Sequence, residues 1–311
     1  MPKVSVITPL FNKAGTIRAT IESVQGQTMA DWEMIVVDNG STDGSLEEAG
    51  KIQDDRIRIL RNDGPGPGSA RNGGLAVAGG QWIQFLDADD LLEPDQFEVQ
   101  LDVAGRVPDA GVIVGSWQEF CDETPAHRRL CRPAGWRQPG FDLKDYSIAF
   151  APWAVHAAIV RRSALEGEPP WAVELDPYLG EDIAFWFRVL QKTQVAYSPA
   201  RGALYRVKTT GRRNQDDNAE KWFAGIHAVV GCNLGALKPT PGQCEYLMRL
   251  YCRLYRSAGG HRGIQERCLR EAVFWLESYF KKTDKPKAAM RLRRLLGLKW
   301  FLALDRLRHR S

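Results

Sequence analysis

Three carboxylates in four positions, Asp87, Asp89 and Asp90, close the stretch Gln-Trp-Ile-Gln-Phe-Leu-Asp-Ala-Asp-Asp at residues 81–90. Trp82, Ile83, Phe85 and Leu86 before them are strand-forming and apolar, so the run reads as a buried strand that delivers acid to a sheet edge. Anions this close raise one another's pKa unless a cation neutralises them, and an all-oxygen set suits a hard ion such as Mg²⁺ or Mn²⁺. Taken alone, an Asp-x-Asp also fits a solvated turn that merely stops a strand. A second acidic pair, Glu181-Asp182, opens a segment in which Ile183, Trp186, Phe187 and Leu190 share a helical face. Helix starts favour carboxylates through the macrodipole, so this pair has a purely structural reading as well.

The elements that must position these groups are readable from periodicity. Residues 4–8 form an apolar strand closed by Pro9, and Thr16 can cap a helix bearing Ile17, Ile21 and Val24. Residues 34–37 form a second strand that runs into Asp38-Asn39-Gly40, and Ser45 with Glu48 has capping-box spacing for the next helix. Residues 56–60 alternate as a third strand, followed by the glycine- and proline-rich loop 63–68 and a helix over 69–78. Strands alternating with helices across short links imply a parallel sheet covered on both faces. The loop glycines lack a following Gly-Lys-Ser/Thr, and their spacing is not the dinucleotide fingerprint; a loop over a bound nucleotide, with Arg71 available for phosphate, and an unrelated surface loop both fit. Residues 154–160 return as an apolar strand after the Arg-, Pro- and Gly-rich stretch 121–141.

The 311 residues are 44% hydrophobic and 26% charged, an ordinary globular composition with room for one large domain or two small ones. The net charge of +4 is uneven: residues 281–311 carry 11 Lys and Arg against 2 Asp and Glu, leaving the first 280 net acidic. Four mainly helical stretches, about 218–235, 243–257, 263–282 and 286–310, finish the chain. In the last, leucines interleave with arginines, which fits an interfacial helix on an anionic membrane and equally an amphipathic helix packed on its own domain. Nucleic acid is disfavoured, with no recognised motif and an acidic main body. Six cysteines without a Cys-x-x-Cys pair are expected to be reduced and structural. No run approaches the ~20 apolar residues of a membrane span, and the N-terminus shows no signal peptide. The expected location is cytoplasmic, with a peripheral place on the inner face of the cytoplasmic membrane left open by residues 286–311.

Five segments in register give the chain a recognisable cast: Val-Ser-Val-Ile-Thr-Pro-Leu-Phe-Asn (4–12), Ile-Val-Val-Asp-Asn-Gly-Ser-Thr-Asp (35–43), Gly-Ser-Ala-Arg-Asn-Gly-Gly-Leu (68–75), Phe-Leu-Asp-Ala-Asp-Asp (85–90) and Gly-Glu-Asp-Ile-Ala-Phe-Trp-Phe-Arg (180–188). Over residues 4–206 the sequence resembles the family 2 glycosyltransferases of bacterial cell-surface polysaccharide synthesis. The resemblance implies a GT-A fold, an α/β doubly wound, mostly parallel sheet flanked by helices, here with a C-terminal helical extension. It implies a nucleotide-sugar-binding half over 1–117, an acceptor-binding half over 118–210 and a helical region with a basic tail over 211–311. It also implies an inverting, divalent-metal-dependent transfer from a nucleotide diphosphate sugar to a hydroxyl of a glycan or lipid-linked acceptor. Thr8, Pro9 and Asp38 would line the base and ribose site, Arg71 would lie near the nucleotide, Asp87 would support the ribose and metal end, Asp89 would bind Mn²⁺ or Mg²⁺, and Asp182 would be the base. Asn39 departs from the aspartate of many relatives, which leaves uridine, thymidine and guanosine diphosphate open. A non-catalytic sugar-nucleotide-binding or scaffolding protein is the alternative from another class, and a nucleotidyltransferase on the same scaffold is a third reading. The C-terminal third matches no motif.

Overall fold

A computed structural model of the chain describes residues 2–64, 66–124, 128–167, 170–178, 180–207, 219–235, 237–298 and 302. The N-terminal half alternates as expected: β1 (Val4–Leu10), α1 (Ile17–Gln25), β2 (Trp32–Asp38), α2 (Ser45–Gly50), β3 (Ile57–Arg61), α3 (Gly66–Val77) and β4 (Trp82–Phe85). A two-residue strand β5 (Leu91–Leu92), helix α4 (Gln96–Arg106) and strands β6 (Ala110–Val114), β7 (Trp117–Phe120) and β8 (Arg129–Cys131) follow. Then come α5 (Leu143–Ser147), β9 (Ala158–Arg161), α6 (Glu181–Lys192), β10 (Gln194–Tyr197) and β11 (Ala203–Arg206).

Seven strands make one sheet in the order β10-β6-β9-β4-β1-β2-β3, and β5-β11-β7-β8 make a smaller one. Strand β1 pairs in parallel with β2 and β4, whereas β9 runs antiparallel between β4 and β6. Val4, Val6, Ile7 and Leu10 are wholly buried, the near-continuous apolar signature of a strand covered on both faces. The register sets Leu10 beside Asp38 and Ile7 beside Phe85. Pro9, Asp38 and Asp87 therefore leave the sheet along one carboxyl rim, the edge where open α/β sheets collect ligands.

Two capping signals serve a different purpose from the one their spacing suggests. Helix α2 starts at Gly44, in the left-handed region at φ 86°, without a side-chain cap. The Ser45 hydroxyl instead accepts the Lys13 amide at 2.6 Å, and that of Thr16 donates to the Ala88 carbonyl at 2.9 Å. Both hydroxyls stitch rim loops together rather than capping a helix of their own. The stretch 154–160 likewise divides into a 3₁₀ turn, Val155–Ala157, and the short β9.

Beyond 218 lie α7 (Ala219–Leu234), α8 (Pro241–Ser257), α9 (Arg262–Lys281) and α10 (Ala288–Leu296). Thr240 and Gln243 form a full capping box on α8, with Pro241 in its first turn. These helices bury a second apolar cluster that takes in Ile183 and Phe187 of α6 and Cys244, Cys252 and Cys268. All six cysteines are free thiols, and burial pushes Cys244 and Cys268 up to about 11, so they stay protonated. Met290, Leu298 and Leu302 pack into this cluster while Leu292, Leu295 and Leu296 face outward. The rest of the basic tail, with Trp300, Arg306, Arg308 and Arg310, lies outside the described residues. Among the described residues no helix is long and apolar enough to cross a membrane.

Candidate active site

Arg71, carried by α3, organises the acidic groups at the rim. Only 4% of its side chain is exposed, and its Nη2 donates to Asp87 Oδ1 at 2.7 Å while Nη1 lies 3.6 Å from Glu181 Oε1. The guanidinium stacks 4.2 Å above the Trp171 ring, which is itself stacked on Phe185 of α6 at 4.1 Å. One arginine thus joins the end of β4 to the first turn of α6.

Asp182, next to Glu181, accepts the Ile183 amide at 3.0 Å. Its carboxyl is pushed up to about 6, chiefly by burial and then by the Glu181 charge. Arg71 and the Ile183 N–H pull the other way, and Asp87 adds to the rise. Burial and like charge therefore outweigh the helix start. A carboxylate of this kind is ionised at neutral pH yet keeps more basicity than an ordinary aspartate, the compromise that suits a proton acceptor. If Asp182 must be ionised to act, turnover is expected to be full above pH 6 and to fall about tenfold per pH unit below it. A pH profile of kcat/KM checks this; a limb near 4 would remove Asp182 from the step. The same shift makes stability depend on pH: the folded form holds its proton more tightly, so the stabilising contribution is complete below the ordinary carboxylate value of 3.8 and is lost as pH rises through about 6.

Each carboxylate of the acidic strand end has its own partner. Lys13 Nζ lies 2.8 Å from Asp89 Oδ2, both side chains less than a fifth exposed. Asp87 belongs to Arg71, which holds its carboxyl below the usual range against the opposing effect of burial. Asp90 turns inward, where Oδ1 accepts the Arg206 amide at 2.8 Å and Oδ2 lies 3.2 Å from His156 Nδ1. Burial pushes His156 down to about 4, so the ring is neutral at pH 7. Asp90 is a bracket for β11, while Asp87 and Asp89 remain partly exposed.

The expected nucleotide wall lies on the same rim. Thr8 is wholly buried and its Oγ1 finds no hydrogen-bond partner among the described residues; Pro9 follows it at the rim. Asp38 Oδ1 accepts the Ser41 amide at 3.2 Å. Asn39 uses both ends of its amide: Nδ2 donates to the Gly66 carbonyl at 3.0 Å and Oδ1 accepts from Asn62 at 2.5 Å. An aspartate here would set a carboxylate against a carbonyl oxygen, which gives the Asn39 departure a local cause.

Asp176 was not singled out by its sequence setting, yet it governs the glycine loop. Its two oxygens accept the Gly68 and Ser69 amides at 2.7 and 2.9 Å, occupying the N-terminus of α3. A Cβ at Gly68 would lie 2.6 Å from Asp176 Oδ1, and Gly66, at φ 79°, would clash with the same side chain, so both glycines permit this approach. Asp176→Ala is expected to lower stability by about 2–3 kcal/mol, because two largely buried amides lose a charged acceptor. The midpoint of urea unfolding reads this, and an unchanged midpoint would mean that water replaces the carboxylate.

Among the described residues no cluster of three His, Cys, Asp or Glu could cage a metal ion. The donor set nevertheless fits a divalent ion shared with a ligand, since Mg²⁺ is commonly held by one or two carboxylates plus substrate phosphates. The Lys13 ammonium beside Asp89 marks where positive charge is accommodated. Asp89 would hold the ion, with Asp87 near it.

The sequence model of glycosyl transferase family 2 matches residues 5–167, more than half of the chain. The putative glycosyltransferase EpsH of Bacillus subtilis is 39% identical over 124 residues, which are 39% of this chain and 36% of the relative. An Escherichia coli relative, the UDP-Glc:alpha-D-GlcNAc-diphosphoundecaprenol beta-1,3-glucosyltransferase WfgD, is 40% identical over 99 residues, 32% of this chain and 39% of the relative. The match thus spans well under half the length of either relative. Among solved structures, Staphylococcus aureus TarS 1-349 in complex with UDP aligns with a TM-score of 0.64 at 16% identity, covering 99% of this chain and 91% of that one. The mannosyltransferase PcManGT of Pyrobaculum calidifontis, in complex with GDP-Man and Mn²⁺, aligns at 0.56 with 18% identity, covering 97% and 81%. A mostly parallel sheet with its acidic rim, the family match across that sheet and the shared fold converge: the chain belongs to glycosyl transferase family 2 and has the GT-A fold.

Proposed function

We propose that the chain transfers a sugar from a nucleotide diphosphate sugar to a hydroxyl of a glycan or lipid-linked acceptor, with inversion at the anomeric carbon. The observation that carries this reading is Asp182, raised toward neutrality and tied through Arg71 to the acidic strand end. In this reading Asp182 takes the acceptor proton as its oxygen attacks the anomeric carbon, and the nucleoside diphosphate leaves from the opposite face. Thr8, Pro9, Asp38 and Asn39 hold the base and ribose, Arg71 positions Asp87, and Asp89 meets the diphosphate end. A divalent ion, Mg²⁺ or Mn²⁺, supplies positive charge to the leaving diphosphate when bound. Residues 1–117 act as the donor half, 118–210 as the acceptor half and 211–311 as a helical region. Donors named with similar proteins carry uridine in two cases, UDP-Glc and UDP-GlcNAc, and guanosine in GDP-Man, so both nucleotides belong in the panel.

The test is nucleoside diphosphate release from a panel of activated sugars with Mn²⁺, with Asp89→Ala alongside the wild type. Turnover is expected with one or few donors, lost on chelation with EDTA, restored by Mn²⁺ and reduced by the substitution. Turnover insensitive to EDTA would overturn the metal assignment. Tight nucleotide binding without transfer or hydrolysis across the panel would return the non-catalytic reading.

A further inference from the structure

The stretch 121–141, rich in Arg, Pro and Gly, is left without a role by the donor site and the base. Within it Trp136 stands edge-on to Tyr197 at the end of β10, with ring centroids 5.3 Å apart and planes at 90°. Neither ring belongs to an apolar core: Trp136 is half-buried and Tyr197 is 37% exposed. The Trp136 indole N–H is open to solvent and makes no hydrogen bond among the described residues, whereas those of Trp153, Trp171 and Trp186 are buried. Arg137 is exposed, with its guanidinium carbon 5.8 Å from the Trp136 ring centroid, and forms no ion pair among the described residues.

The sheet register sets this pair on the same carboxyl rim as the acidic strand end. Tyr197 pairs with Val114 and Val114 with Ala158, while Gln84 pairs with Ile159, so Tyr197 is level with Phe85. Three strand spacings separate β10 from β4, about 14 Å in all at about 4.8 Å each. Asp87 follows Phe85 by two residues. From the other direction, Thr193 alone divides α6 from β10, so the chain reverses there and Tyr197 returns toward the level of Asp182. Packing joins the two groups. Trp186, one turn beyond Asp182, meets Trp153 at 5.0 Å, and Pro152 beside Trp153 accepts the Ala134 amide at 2.8 Å. The Ala134 carbonyl in turn accepts the Tyr197 hydroxyl at 3.2 Å.

The loop also holds a conformation that its own residues disfavour. Arg137 sits at φ 54°, in the left-handed region where a Cβ is crowded, and such positions gather at binding sites, where the surroundings over-determine them. Two rings at right angles make a floor and a wall. A pyranose ring fits that corner: its C–H face is apolar and faintly positive, the complement of an aromatic face, while its hydroxyls can accept from the indole N–H and the guanidinium. We propose that Trp136, Tyr197 and Arg137 form a subsite for a pyranose ring of the acceptor glycan, one or more units removed from the hydroxyl that reacts. This rests on the transfer reading above and gives its acceptor a chemical class. At about 14 Å from the end of β4, a single sugar does not reach both places, so the acceptor is an oligosaccharide.

The full chain is applied to an array of immobilised bacterial cell-surface oligosaccharides and their component monosaccharides, without donor, so that binding is read apart from turnover. Retention is expected on one or a few oligosaccharides and on no monosaccharide. Trp136→Ala is expected to weaken it roughly tenfold, and Trp136→Phe to restore most of it. Arg137→Gly relieves the left-handed strain, so it should unfold close to the wild-type thermal midpoint and still bind more weakly. With the retained oligosaccharide as acceptor, Trp136→Ala should raise the acceptor KM about tenfold and leave the donor KM unchanged, the mark of binding remote from the reacting centre. Wild-type retention by Trp136→Ala would overturn the subsite. Loss of self-association in sedimentation as the sole change would overturn it too, by making the aromatic pair a contact between copies of the chain. No retention on any oligosaccharide, with nucleoside diphosphate still released from an activated sugar, would sink the subsite and leave the donor reading in place. Retention that depends on Trp136, without transfer from any donor, would uphold the glycan subsite and overturn the transfer reading instead.

Discussion

Asp182→Asn is expected to lower kcat by about 10²- to 10⁴-fold, the usual contribution of a positioned general base, while nucleoside diphosphate binding stays at the wild-type level. Asparagine keeps the shape of the side chain and can still accept the Ile183 amide, but it cannot take a proton at any accessible pH. The helix start is therefore preserved and the chemistry is not. Removing a negative charge beside Glu181 also relieves repulsion, so the variant should be at least as stable as the wild type above pH 6, where Asp182 is ionised. Loss of turnover with gain of stability separates a chemical role from a structural one. Wild-type kcat in Asp182→Asn would dismiss Asp182 as the base and shift attention to Glu181.

The strands, the order of the rim loops and the position of Glu181-Asp182 at a helix start were legible because each rests on local periodicity. Continuous burial of Val4, Val6 and Ile7 follows from the apolar run itself. The partners of the acidic groups were not legible in this way. Lys13 meets Asp89 across 76 positions, and Asp176 meets Gly68 across 108. Such pairs are set by how loops converge on the sheet and leave no spacing to find. Thr16 and Ser45 show the same limit from the other side: their spacing announced caps, but each hydroxyl found a tertiary partner first. The antiparallel β9 was also hidden, since a short apolar run does not declare its direction. In the tail, the sequence left core packing and a membrane role open. The described part contains both kinds of face, with Met290 inward and Leu295 outward.

Arg71→Met should have the largest effect on stability. Methionine fills much of the same space against Trp171, so packing is largely kept and the change isolates the charge. What remains is Asp87, Glu181 and Asp182 grouped without the cation that now compensates them. Removing one member of a buried charge set typically costs about 3–5 kcal/mol. Asp87 keeps 35% of its side chain exposed, which favours the lower end, about 3 kcal/mol. With a urea dependence of about 1–3 kcal/mol per molar, the unfolding midpoint should fall by about 1–3 M at pH 7. The sign of the pH dependence tests the cause. Arg71 lowers the carboxyl pKa of both Asp87 and Asp182 in the wild type, so without it both should titrate higher. Groups raised in the folded state stabilise at low pH, and the deficit of the variant should therefore shrink as pH falls from 7 toward 4. A second substitution, Asp87→Asn in the Arg71→Met background, should recover part of the loss by removing one uncompensated charge. A deficit that does not vary with pH and is not rescued would assign the loss to packing against Trp171, and Arg71 would no longer be the group that holds the two acidic motifs together.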